Sequence, residues 1–178
     1  MLLAAFLLLA SCGNDGMSAA PPSGPARAAA LVEAFSASMG VPDRRLDDRN
    51  DVSYGSVGLR YDPMTDSMAI RVYVNNVLID DAPPEELGNY RRMVGFLNDP
   101  AVGGMYERAG GQFILDETAQ AYFLVKTVPV SALTPALLEA EADRMQDVAA
   151  QWTTAWLGEV AMVMHGHQPP PTRRVEAN

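Results

Sequence analysis

Few side chains in this sequence are suited to covalent chemistry. Cys12 is the sole cysteine and follows an apolar run, Leu2 to Ala10. A single thiol has no intrachain disulfide partner, so its use must lie in its own nucleophilicity or in packing. The two histidines, His165 and His167, form a His-Gly-His stretch just before Pro169-Pro170-Pro171. Two imidazoles without neighbouring acids make a weak metal site. A serine–histidine–acid triad would need one of them held rigidly, which the glycine and prolines oppose. Asp43, Asp47, Asp48 and Asp51 cluster like calcium ligands, but the EF-hand spacing and its closing glutamate are missing. Arg44, Arg45 and Arg49 already balance those charges. Gly103-Gly104 and Gly110-Gly111 precede no Gly-Lys-Ser/Thr, so tight turns explain them better than a phosphate loop. The residues therefore predict no catalytic group, no metal site and no cofactor.

The thiol has a better explanation in its position. Leu2 to Ala10 has the length of a signal-peptide core and falls far short of the ~20 residues that span a bilayer. Leu9-Ala10-Ser11-Cys12 resembles a bacterial lipobox, in which a peptidase cuts before the cysteine and the thiol carries diacylglycerol. The small residues Ala10 and Ser11 suit a peptidase cleft. A plain secretory signal with an incidental cysteine, or a buried structural thiol, is the alternative. The expectation is a signal peptide over 1–11 and a lipid on Cys12. Residues 12–25, small, polar and proline-rich, then form a tether. Acyl chains would anchor the protein to a membrane without spanning it. Gly13 stands where aspartate favours inner-membrane retention in enteric bacteria, so the resemblance implies the outer membrane, facing the periplasm.

The chain has 178 residues and a formal net charge of −9, which fits one acidic domain with appendages. An acidic surface lacks the basic footprint of a nucleic-acid binder. The proline-rich residues 166–178 read as a tail, leaving a domain over 26–165.

Within that domain the periodicities alternate. Ala26 to Met39 carries Leu31, Val32, Phe35 and Met39 at helical spacing and stops at Gly40. Asp43 to Asp51 reads as a solvated loop. Val52 to Asp62 reads as one half-buried strand, with Tyr54 and Gly58 on the face opposite Val57 and Leu59. Met68 to Ile79 follows after a turn, with Met68, Ile70, Val72 and Val74 on one face. Asn75-Asn76 marks a bulge or a second turn. Pro83, Pro84, Glu85 and Glu86 start a helix whose stripe is Leu87, Tyr90, Val94 and Leu97, widened by Met93. Gln112 to Asp116 and Ala119 to Val128 form a second hairpin. Thr134 caps a final helix from Pro135 to about Met164. This order predicts an α+β fold: an antiparallel sheet of about five strands packed against an N-terminal, a middle and a long C-terminal helix.

The stretches Met93 to Asn98, Gln112 to Asp116, Tyr122 to Lys126, Val128-Pro129-Val130 and Ala149 to Trp152 resemble the type III secretion chaperones of the Tir-chaperone (CesT-like) group. The resemblance spans roughly residues 26 to 160 and implies a scaffold that dimerises and binds extended polypeptides. Members are cytoplasmic, whereas this chain carries a lipobox, so the scaffold carries over and the partner does not. The reading is a non-enzymatic envelope lipoprotein whose domain binds a protein or peptide partner, a homodimer included. The partner-binding residues expected are Trp152 and Trp156 on the long helix and Tyr54, Tyr61 and Tyr73 on the first strands. Core packing is the competing role for all five. A periplasmic small-molecule binder or hydrolase, or a structural subunit of an envelope assembly, are the alternative functions. A deep pocket with converging polar groups would mark the binder or hydrolase.

Overall fold

The computed structural model describes residues 23–77, 84–99 and 108–155. Cys12, Trp156, His165, His167 and the tail lie outside the described residues.

Helix α1 spans Gly24–Ser38 and begins two residues before the expected start. Ser23 occupies the N-cap and Pro25 the first turn, where a missing N–H costs nothing. Ala28, Leu31, Val32 and Phe35 are its buried stripe. The chain leaves the helix through Gly40, whose φ of +73° suits a residue without Cβ.

Val52 to Asp62, expected as one strand, is a hairpin. Strand β1 (Asp51–Tyr54) pairs antiparallel with β2 (Val57–Asp62), Tyr54 opposite Val57. The two-residue turn turns on Gly55, with φ +67°. Tyr54 consequently sits on the same buried face as Val57, Leu59 and Tyr61, opposite to the expected phase. Strand β3 (Ser67–Asn76) buries Met68, Ile70, Val72 and Val74 as the alternation predicts. Its register against the next strand slips between Tyr73 and Asn75, placing a bulge beside the asparagine pair.

Helix α2 (Pro84–Asn98) buries Tyr90, Met93 and Leu97. Strands β4 (Gln112–Asp116) and β5 (Ala121–Pro129) form the second hairpin. A single 3-10 turn over Val130–Ala132 leads to α3 (Pro135–Ala155). Thr134 caps α3 as expected, its Oγ1 accepting the Leu137 N–H at 3.2 Å.

The five strands form one antiparallel sheet in the order β1-β2-β3-β5-β4. The α+β architecture of five strands and three helices is therefore the one the sequence predicts. Helix α1 packs on β2 and α3, α3 on β3, and α2 on β4. All three lie on one side of the sheet. Phe35 of α1 meets Tyr54, Trp152 of α3 meets Phe113, and the Tyr122 hydroxyl donates to the Tyr90 carbonyl of α2. Those strand residues share a face through the register. Arg27 ties α1 to the 3-10 turn by donating to the carbonyls of Ser131 and Leu133.

Candidate functional site

The opposite face of the sheet carries no described helix. The residues that alternate out to it are Ser53, Gly58, Arg71, Tyr73, Phe123, Val125, Ile114 and Asp116. Ile114 is exposed, and Tyr73, Phe123 and Val125 are half-buried. Tyr73 stands edge-on to Phe123 with centroids 6.2 Å apart. This is a partly apolar surface with no partner in the described chain.

Arg71 organises its centre. Its guanidinium carbon lies 4.6 Å from the Phe123 ring centroid, a cation–π stack. One Nη donates to Asp116 at 2.7 Å, with the two side chains 19% and 28% exposed. The other Asp116 oxygen accepts the N–H groups of Thr118 and Ala119. The Ala119 N–H, followed by Arg71, holds the Asp116 carboxyl below the ordinary value of 3.8. Strand β4 and its turn are thus fixed to β3 through one carboxylate. Arg91 of α2 grips the same turn from the other side by two hydrogen bonds to Glu117.

A cleft of about 430 Å³ opens beside Arg71. Arg44, Arg45 and Asp47 from the loop after α1 line one wall, Ser53 and Gly58 the floor, and Asp116, Ala119 and Phe123 the far wall. Gly58 pairs directly with Arg71, so the absent side chain leaves the floor low. The groups here are guanidinium, carboxylate and hydroxyl beside the apolar side chains of Val52, Val57, Ala119 and Phe123, and each carboxylate is engaged in hydrogen bonds or an ion pair. Among the described residues no group of three or more His, Cys, Asp or Glu side chains is arranged to hold a metal ion.

The aromatic residues expected to bind a partner divide between the two faces. Trp152 is 1% exposed and packs edge-on against Phe113 at 4.8 Å. Tyr54 is buried against Phe35, and its hydroxyl and that of Ser36 are 2.7 Å apart. Tyr61 is buried with its hydroxyl on Asp66. These three fill the core under the helices. Tyr73 lies on the uncovered face, and Trp156 falls outside the described residues. Arg71, Phe123 and Asp116 were not singled out by the sequence. The only signal for them was parity: each alternates away from the buried residues of its own strand.

No protein-family model matches the sequence, and no curated protein matches it. Solved structures do match the fold. The HopA1–SchA chaperone–effector complex aligns with a TM-score of 0.50 at 18% identity, covering 71% of this chain and 92% of that one. The ExsC–ExsE complex aligns with a TM-score of 0.50 at 20% identity, covering 70% and 90%. The fold matches the type III secretion chaperone fold. The Yersinia pestis type III secretion chaperone SycH, in complex with a fragment of YscM2, aligns at 0.44 and 12% identity over 70% and 98%. At such identities the likeness is one of scaffold. The first two alignments cover 92% and 90% of those chains, and the element order the sequence predicts is present.

Proposed function

We propose that this chain is a non-catalytic protein-binding module of secretion-chaperone type, held at the bacterial envelope by a lipid on Cys12 and facing the periplasm from the outer membrane. The observation that carries the binding half is the fold, shared with a chain solved in a chaperone–effector complex. Apolar side chains of a polypeptide partner, a second copy of this chain included, would lie on Tyr73, Phe123, Val125 and Ile114. The anchoring half rests on the Leu9 to Cys12 motif and on geometry. Helix α1 starts at Gly24, so the preceding residues 13–23 reach at most about 40 Å when extended. That would keep the domain close to the membrane surface. Among the described residues no helix is long and apolar enough to cross a membrane.

Two measurements test the halves separately. Palmitate labelling and membrane fractionation of the full chain should lose both signals in Cys12→Ala. Unchanged labelling and retention would remove the anchor. Affinity capture from detergent-solubilised envelopes should return a defined polypeptide or a homo-oligomer. A chain that is monomeric and recovers nothing would remove the binding role.

A further inference from the structure

Gly58 lies within β2, paired with Ser53 on one side and Arg71 on the other. Glycine weakens a strand, and one kept there serves a bulge, a special dihedral angle or a close approach by another group. The first two do not apply. The pairing runs without a shift on both sides of Gly58. Its backbone does not have the positive φ of Gly40, Gly55 and Gly110. A Cβ at this position would meet nothing nearer than the Val52 carbonyl oxygen at 3.6 Å and the Arg71 Cβ at 3.8 Å, both ordinary contacts. The fold itself therefore has room for a side chain that the sequence omits.

The omission leaves a notch in the uncovered face. Val57 and Leu59 turn into the core, so Gly58 faces the cleft. Its neighbour on β1, Ser53, is small and exposed. Arg71 does not lean over the glycine, because its guanidinium lies over Phe123 and reaches Asp116. The Arg71 stem is thus one wall of the notch, and the cleft of about 430 Å³ opens above it.

The charges around the notch select a neutral occupant. Arg44, Arg45 and Arg71 line the cleft together with Asp47, Asp51 and Asp116, three guanidinium groups against three carboxylates. A charged side chain of either sign meets its own sign as well as the opposite one, and gives up its water. An apolar side chain gives up no hydrogen bond. It finds Ala119, Phe123 and the methylenes of Arg71.

We propose that the notch over Gly58 seats one large apolar side chain of the bound polypeptide. The inference rests on the protein-binding role and names the chemistry of one residue of the partner. The missing Cβ makes the seat, since a larger residue at position 58 would fill the space itself. Phe123 lines this cleft and also stands against Tyr73. The seat is therefore continuous with the apolar surface on which the partner would lie.

The test uses the full chain and synthetic threonine-rich peptides with one central phenylalanine, alanine, glutamate or lysine. By fluorescence anisotropy the phenylalanine peptide should bind about tenfold more tightly than each of the others. Gly58→Val should erase that preference and Gly58→Ala should reduce it. Both variants should melt at or above the native temperature, because either residue suits a strand better than glycine does. Equal binding of the four peptides, binding of none, tighter binding of a charged peptide, or a preference that survives Gly58→Val would overturn the inference. So would a lower melting temperature in Gly58→Ala, which would show that the glycine serves the fold. Envelope capture separates the two levels. Equal partner recovery by the native and Gly58→Val chains removes only this inference, and no recovery by the native chain removes the binding role itself.

Discussion

Asn98, the last residue of α2, holds both backbone groups of Phe113 on the edge strand β4. Its Nδ2 donates to the Phe113 carbonyl at 2.9 Å, and its Oδ1 accepts the Phe113 N–H at 2.8 Å. A side-chain amide presents one donor and one acceptor at the spacing of a peptide unit, so it substitutes for a neighbouring strand. This contact docks α2 on the sheet and occupies part of an edge that would otherwise be open to pairing.

Replacing Asn98 by Ala should therefore cost about 2 kcal/mol, since two part-buried backbone groups lose their partners. Urea unfolding of the isolated domain would measure it. Asn98→Asp should recover less than half, because a carboxylate cannot donate to the Phe113 carbonyl. A loss within error for both variants would show that α2 docks by apolar contact alone.

Trp152 distinguishes core from surface. It is 1% exposed, edge-on to Phe113 and fully enclosed beneath α3. Trp152→Ala should cost roughly 3–5 kcal/mol, the range for deleting a buried aromatic. Its indole fluorescence in the native state should be blue-shifted, and acrylamide should quench it poorly. A variant that stays as stable as the native chain but loses its partner would instead make Trp152 a contact residue.

Stability should respond to acid through Asp116 and to alkali through Tyr122. The folded chain holds the Asp116 carboxyl below 3.8, so its contribution is full above that value and fades as pH falls through the folded one. Asp116→Asn should flatten the loss of stability as pH falls below 3.8. Burial pushes the Tyr122 hydroxyl above its ordinary 10, with Tyr90 nearby adding to it. Stability from keeping it neutral is full below 10 and is lost as pH rises through the folded value. Tyr122→Phe should remove that alkaline slope while giving up the hydrogen bond to the Tyr90 carbonyl. Slopes that match the native chain in both variants would contradict these assignments.

The parts of the molecule legible in its sequence are those governed by local period and local chemistry. The alternation of Met68, Ile70, Val72 and Val74 sets the face of β3, and Thr134-Pro135 sets the start of α3. The β1–β2 hairpin was hidden because Gly55-Ser56 interrupts an alternation that looks continuous from either end. The clue was parity, since Tyr54 and Val57 are both large and apolar but three residues apart. The centre of the candidate site was hidden for another reason. Arg71 and Asp116 are 45 positions apart, and only the pairing of β3 with β5 and of β5 with β4 brings them together. No local rule links a β3 arginine to a β4 aspartate. The three expected tyrosines divide between the faces because strand parity sends Tyr54 and Tyr61 under the helices and Tyr73 outward.

The most direct test of partner binding across the uncovered sheet face is photo-crosslinking in living cells from a reactive amino acid placed at Tyr73, in the full chain with Cys12 intact. The account predicts an adduct with a polypeptide, either a distinct chain or a second copy. The same probe at Met64, 91% exposed on the β2–β3 turn, should give no such adduct. No polypeptide adduct from Tyr73, or an identical pattern from both positions, would contradict it.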